Sequence, residues 1–212
     1  MSAPIAIIDF ETTGTSPDLG DRPTEVAIVL TERGVVVDRF QSLMNPGIRI
    51  PAFITQLTGI TNAMVQAAPP VAQVMAEAAR FVGQTPLVAH NASFDRKYWQ
   101  AELQRLGLPA TQPFACTVLL ARRLYPDAPN HRLGTLAQHL GLPATGRAHR
   151  ALADAEMTAE LLRHMHTLLH TRHGLAHPDH ALLVALQQCS KAALPGWLQQ
   201  QRQKQPPAAD GG

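Results

Sequence analysis

Apolar and polar positions follow two rhythms along the chain, one strand-like and one helical. Pro4-Ile5-Ala6-Ile7-Ile8 is a short apolar run that gives way to polar residues at Asp9, and it reads as a buried strand. A turn-rich stretch follows, Thr12-Thr13-Gly14-Thr15-Ser16-Pro17. Residues 25–31 and 35–43 read as two further strands joined by the turn Glu32-Arg33-Gly34, which makes a hairpin. Helical period takes over after Pro69-Pro70, where Val71, Val74, Met75, Ala78 and Val82 fall on one face. Residues 86–90 read as a fourth strand, and a helix then runs to about Leu106, where Gly107 ends it. A short strand near residues 114–116 precedes helices around 118–124 and 133–140. A long helix follows over about 150–170, with Leu152, Ala155, Ala159, Leu162, Met165 and Leu169 as its inner stripe. Past Gly174 the pattern supports one more helix, Ala181–Ala193. This order predicts an α/β fold, a mixed sheet flanked by helices.

Three units are expected: a main domain over 1–173, a helical extension over 174–198, and a disordered Gln/Pro-rich tail over 199–212. Of 212 residues 45% are hydrophobic and 16% charged, which supports a packed core and excludes a wholly disordered chain. No apolar run is long enough for a membrane span, and the N-terminus lacks signal-peptide character, so a cytoplasmic location and no membrane partner are expected. Cys116 and Cys189 stand alone, which excludes a disulfide scaffold or zinc finger. The net charge of +2 is too mild for coating nucleic acid by charge alone. Of the 18 Lys and Arg, however, 15 are Arg, the better residue for bidentate phosphate contact.

Candidate chemistry gathers at the ends of these elements. Asp9 and Glu11 are two residues apart at a strand end, so period 2 puts both carboxylates on one face and turns Phe10 into the core. Two converging carboxylates raise each other's pKa unless a cation lies between them. His90-Asn91-Ala92-Ser93-Phe94-Asp95 follows a strand and puts Asp95 in the first turn of a helix, where the dipole accepts it; Asn91 or Ser93 is the expected cap. In the third cluster, His149 and Asp154 would lie about 140° apart on one ideal helix. Convergence therefore requires His149 in the loop before the helix and Asp154 inside it. Singly, these clusters are as readily a solvated strand end, a helix cap and an exposed histidine. Together they offer four hard oxygen donors, which suit Mg²⁺ or Mn²⁺ rather than zinc. Two such ions form a phosphoryl-transfer clamp, and a neighbouring histidine is the natural general base for a water.

The segments Asp9-Phe10-Glu11-Thr12-Thr13-Gly14, His90-Asn91-Ala92-Ser93-Phe94-Asp95 and His149-x4-Asp154, in that order, resemble the three motifs of the DEDDh 3′→5′ exonucleases. Leu57-Thr58-Gly59-Ile60-Thr61 is similar to a segment that members carry between the first and second motifs. The resemblance spans about residues 4–170 and is nearest to the epsilon proofreading subunits of bacterial replicative DNA polymerases. It implies a ribonuclease H-like five-stranded mixed sheet with helices on both faces. It implies that Asp9, Glu11, Asp95 and Asp154 hold two divalent ions, Mg²⁺ or Mn²⁺, and that His149 is the general base. It also implies that Thr12 and Thr13 meet the 3′-terminal nucleotide, that Leu57 and Ile60 wedge against its base, that Phe94 lines the strand's path, and that His90 and Asn91 lie near the scissile phosphate. The expected substrate is a single-stranded or frayed DNA 3′ end. The expected partners are nucleic acid and, beyond it, a DNA polymerase subunit or a second copy of the chain.

Two other readings use the same residues. One is a 3′→5′ exoribonuclease trimming RNA ends or short oligoribonucleotides. The other is an inactive polymerase-associated adaptor, which would be expected to lack a metal ligand, whereas all five catalytic positions are filled here. His164, His166, His170, His173, His177 and His180 form a histidine-rich stretch, read as solvated polar positions in preference to a transition-metal site. Trp197 is expected to fold back onto the domain, with partner docking as the alternative.

Overall fold

The computed structural model describes residues 3–143, 145–176 and 178–204. The elements, in chain order, begin with β1 (Ile5–Thr12), β2 (Pro23–Glu32) and β3 (Val35–Leu43). There follow α1 (Ala52–Thr58), α2 (Asn62–Gln66), α3 (Val71–Val82), β4 (Leu87–Ala89), α4 (Ala92–Arg105), β5 (Phe114–Cys116), α5 (Thr117–Leu124), α6 (Leu133–His139), α7 (Ala151–His173), α8 (His180–Gln188) and α9 (Leu194–Lys204). The sheet order is β3-β2-β1-β4-β5. β1, β2 and β3 pair antiparallel, whereas β4 runs parallel to both β1 and β5, so the sheet is mixed. Arg33 and Gly34 both take positive φ (52° and 76°), the geometry of a two-residue turn whose twist matches the β2–β3 hairpin.

Alternation along β1 divides the core. Ala6, Ile8 and Phe10 pack on one face with α3 and α4, burying Val74, Met75, Tyr98, Trp99 and Leu103. Ile5 and Ile7 pack on the other with α5 to α9, burying Leu120, Leu136, Leu162, Met165 and Leu186. Burial on both faces explains why the strands read as near-continuous apolar runs. Asp9 and Glu11 extend the second face, where β1 runs on past the apolar residues as far as Thr12.

Several elements differ from the sequence expectation. The segment 52–66 forms α1 and α2 around a small cluster of Ile50, Ile54, Ile60 and Val65, too short a run for periodicity to reveal. α8 ends at Gln188 rather than Ala193. Residues 199–204 belong to helix α9 instead of a disordered tail, because Leu198 is buried and Trp197 packs back on the core; residues 205–212 lie outside the described residues.

The solvated reading of the histidine-rich stretch holds for the exposed His170 and is corrected at three other positions. His164 bonds the Tyr125 hydroxyl at 2.8 Å, His180 bonds the Leu87 carbonyl at 2.8 Å, and His166 Nε2 is buried without a partner. These side chains fill the packing between α7, α8 and the sheet; His177 lies outside the described residues. Among the described residues, no helix is long and apolar enough to cross a membrane.

Candidate active site

The ends of β1, β4, α4 and α7 meet at one end of the sheet and floor a cleft of about 1150 Å³. That is above the roughly 300–1,000 Å³ typical of small-molecule pockets. Asp9 and Glu11 come from β1, on the same face, as period 2 requires. Asp95 reaches them by long-range pairing. β4 is only three residues long and pairs β1 at Ala6 and Ile7, so the Phe10 amide beyond it has no strand partner. Asp95 Oδ1 accepts that amide at 3.2 Å, across 85 residues of sequence. Asp154 lies in the first turn of α7, and its Oδ2 accepts the backbone N–H of His149 at 2.9 Å. His149 stands before the helix with φ 60°, and its ring is exposed at the cleft. Ligand atoms of Glu11, His149 and Asp154 lie within 4.8 Å of one another.

Burial dominates the electrostatics, with repulsion between the carboxylates second. Burial pushes Asp9 well above the usual carboxylate range, and Asp95, Glu11, Asp154 and Glu25 add to the shift in that order. Burial, then the charges of Asp154, Glu25 and Asp95, raise Glu11 to about 8, with Arg150 opposing. Burial also lifts Asp95 to about 8, although the Phe10 amide and its own backbone N–H oppose. The helix dipole therefore does not make Asp95 an easily ionised group: removal from water outweighs it. Asp154 is raised by burial against the lowering effect of His149.

A family model described as exonuclease matches residues 6–162. The chain belongs to this exonuclease family. Its motif residues are those of the DEDDh type. The chain is 43% identical over 157 residues to the PolC-type DNA polymerase III of Oceanobacillus iheyensis and 40% identical over 157 residues to that of Clostridium perfringens. In both cases the match takes in 74% of this chain but spans 11% of the polymerase. Among solved structures, exonuclease X in complex with 5′ overhanging duplex DNA aligns at 31% identity and TM-score 0.63, over 77% of this chain and 91% of that one. The nuclease domain of 3′hExo, a DEDDh family member bound to rAMP, aligns at 24% identity and TM-score 0.66, over 78% of this chain and 92% of that one, which supports the ribonuclease H-like fold.

The family implies divalent metal ions, and this donor set fits them. Four carboxylates brought together out of water hold protons above their ordinary range, and a hard divalent cation satisfies the same oxygens.

The structure brings most of the expected substrate contacts to the cleft, though not all. Thr12, Leu57, His90, Asn91 and Phe94 line it. Leu57 is 48% exposed, a free apolar side chain on α1. Phe94 packs on Tyr98 with ring centroids 5.1 Å apart and carries the Lys97 ammonium 5.2 Å over its face. Asn91 precedes α4 in the left-handed region with φ 67°, and its side chain makes no capping bond, contrary to expectation.

Ile60 does not reach the cleft. It is fully buried in the α1–α2 cluster, and Ile54 lines the cleft beside Leu57 instead. Thr13 is also turned inward. Its hydroxyl donates to Asp21 and accepts from the Arg22 amide, bracing the loop after β1. A Cβ at Gly14 would lie 2.3 Å from Asp21 Oδ1, so a side chain there would have to displace that carboxylate. Both ring nitrogens of His90 are engaged, with the Thr117 hydroxyl at 2.8 Å and the His131 carbonyl at 3.1 Å. Burial lowers its pKa to about 4, so it is a neutral brace for the cleft wall and not a free cation for a phosphate.

Sequence reasoning missed Glu25, a fully buried carboxylate directly opposite Glu11 in the β1–β2 register. It also missed Arg122, Asn130, His131 and Arg132, which line the same cleft as the carboxylates. The only available signal was the fork of Arg and His residues after the fifth strand.

Proposed function

We propose that this chain is a 3′→5′ exonuclease that removes nucleoside 5′-monophosphates from single-stranded or frayed DNA 3′ ends. The observation that carries this is the convergence of Asp9, Glu11, Asp95, Asp154 and His149 on the floor of one open cleft. Asp9, Glu11, Asp95 and Asp154 would hold two divalent ions, Mg²⁺ or Mn²⁺. Bound there, such ions would supply Lewis-acid polarisation of the phosphate and would lower the pKa of water.

The remaining chemistry belongs to the chain's own residues. His149, exposed at the cleft, takes the proton of the attacking water. The water oxygen bonds to phosphorus while the bond from phosphorus to the 3′ oxygen breaks, and the departing oxygen takes a proton from solvent, leaving a shortened strand with a 3′-hydroxyl and a nucleoside 5′-monophosphate. Leu57 and Ile54 offer apolar contact to the terminal base and Phe94 offers a ring face, contacts that any base can use. Thr12 and Asn91 line the same cleft, where Thr12 would meet the terminal nucleotide and Asn91 the scissile phosphate. Arg122 and Arg132, exposed where they line the cleft, suit the phosphates of the incoming strand. The resemblance to PolC-type DNA polymerases and to exonuclease X bound to DNA favours DNA over RNA, and the first also favours association with a polymerase in the cytoplasm. Residues 1–173 would be the catalytic unit, with α8 and α9 packed on it.

The test uses 5′-labelled DNA and RNA strands of equal sequence, with Mg²⁺ or Mn²⁺, beside Asp9→Ala. A ladder shortening from the 3′ end of DNA and absent in the variant supports the reading. A ladder mainly on RNA moves the enzyme to RNA trimming, and none on either strand overturns it.

A further inference from the structure

Glu25 and Arg150 are not among the residues that line the cleft, yet they form an ion pair beside the site in which the carboxylate is buried and the guanidinium half-buried. Glu25 is 1% exposed and accepts four hydrogen bonds. Arg150 forks onto it, Nη2 to Oε1 at 2.8 Å and Nε to Oε2 at 3.1 Å. The Ala151 amide donates to Oε2 at 3.1 Å and the Gln41 side-chain amide to Oε1 at 2.9 Å. Three of the four bonds therefore come from the two residues that follow His149.

Local structure there needs outside support. His149 holds φ 60°, a conformation that a side-chain-bearing residue keeps only where its surroundings over-determine it. The N-cap residue of α7 is Arg150, whose side chain caps nothing, so a helix of 23 residues begins without a local cap. Glu25 supplies that cap from the neighbouring strand by accepting the first helical amide, while the same carboxylate clamps the Arg150 guanidinium. Because Glu25 stands opposite Glu11, the strut ties the start of α7 to the strand pair that carries Asp9 and Glu11.

We propose that Glu25 and Arg150 are positioning residues that hold His149 and Asp154 in register with Asp9 and Glu11. This rests on the reading of His149 as general base. Neither side chain touches substrate; both act through the backbone of residues 149–151.

The experiment compares wild type with Arg150→Met, Arg150→Lys and Glu25→Gln, by steady-state hydrolysis and by amide hydrogen exchange of the metal-free protein. Arg150→Met lowers kcat about 30-fold or more with KM within about threefold, since a misplacement of roughly 1 Å costs up to about 10²-fold. Arg150→Lys, which keeps the charge and one contact, recovers part of that loss and also serves if the methionine variant does not fold. Exchange of the His149 amide speeds up at least about tenfold, while Ile7 and Ile28 in the sheet centre exchange as in wild type. Faster exchange throughout the chain, with kcat per folded molecule retained, would reduce the strut to general stability and overturn the proposal. So would an unaltered kcat in folded Arg150→Met beside an active wild type. A wild type inactive on every strand, with the local exchange response intact, would instead defeat the nuclease reading and leave the strut's hold on His149 established.

Discussion

The backbone N–H of His149 donates a 2.9 Å hydrogen bond to Oδ2 of Asp154. The bond folds the residue before α7 back onto the helix's first turn, so two residues that one continuous helix would spread about 140° apart point to the same place. It also engages one oxygen of Asp154 and leaves the histidine ring free at the cleft. Removal from water, and after it repulsion between anions, governs what the surrounding carboxylates do.

Metal-free protein should lose stability as pH rises from 6.5 to 8.5. Asp9, Glu11, Asp95 and Asp154 have folded-state pKa values above their ordinary 3.8 or 4.5, with Glu11 and Asp95 at about 8. Their contribution is therefore fully present below the ordinary values and is lost as pH rises through about 8. His90 and His166, lowered from 6.5 to about 4, have the opposite sign, but their effect is confined to pH below 6.5. Scanning calorimetry should show Tm falling across the window, with Mg²⁺ or Mn²⁺ restoring it most at the upper end. A Tm that climbs with pH in metal-free buffer would contradict this.

Asp95→Asn should separate stability from activity. The amide keeps the acceptor for the Phe10 N–H but removes one buried negative charge. At pH 8.5 without metal, Tm should rise by about 2–4 °C for each kcal/mol of repulsion and desolvation removed. Hydrolysis should fall by at least about 10³-fold, since a hard-metal donor is lost. Calorimetry and the labelled-strand assay on one preparation check both halves.

Leu57→Ala and Ile60→Ala should behave oppositely, although the two residues are three apart. Leu57 is exposed at the cleft, so its truncation should lower kcat/KM by about tenfold with little change in stability. Ile60 is fully buried with Ile50, Ile54 and Val65, so its truncation should cost about 2–5 kcal/mol of stability. Denaturant titration beside single-turnover kinetics distinguishes them.

Arg122→Ala and Arg132→Ala should each weaken binding of single-stranded DNA and make it less salt-dependent. Each lost phosphate contact should reduce the slope of log K against log salt by about 0.7. Fluorescence anisotropy at several salt concentrations measures it, and a slope equal to wild type in both variants would take the strand's path away from these two arginines.

Much of the fold was legible because short-range patterns decide it. The turn at Glu32-Arg33-Gly34 and the apolar runs around it lead directly to the β2–β3 hairpin, and the spacing of Val71 to Val82 leads to α3. The helices of 52–66 were not legible. They are stabilised by a few isoleucines meeting across a loop rather than by a periodic face. Tail residues 199–204 look disordered by composition, yet Leu198 just before them anchors α9 on α7.

At the site, the sequence by itself determined which groups are present and how each is aimed locally: Asp9 and Glu11 on one strand face, Asp95 in the first turn of α4, His149 outside α7 and Asp154 within it. Tertiary structure alone decided their distances and their charge state. The parallel pairing of β4 with β1 delivers Asp95 to the Phe10 amide, and Glu25, opposite Glu11, clamps Arg150 and caps α7 through the Ala151 amide. The helix dipole that favours an ionised Asp95 can be read from sequence, but the burial that overrides it cannot. Desolvation and repulsion between carboxylates depend on separation in space, which a linear pattern does not encode.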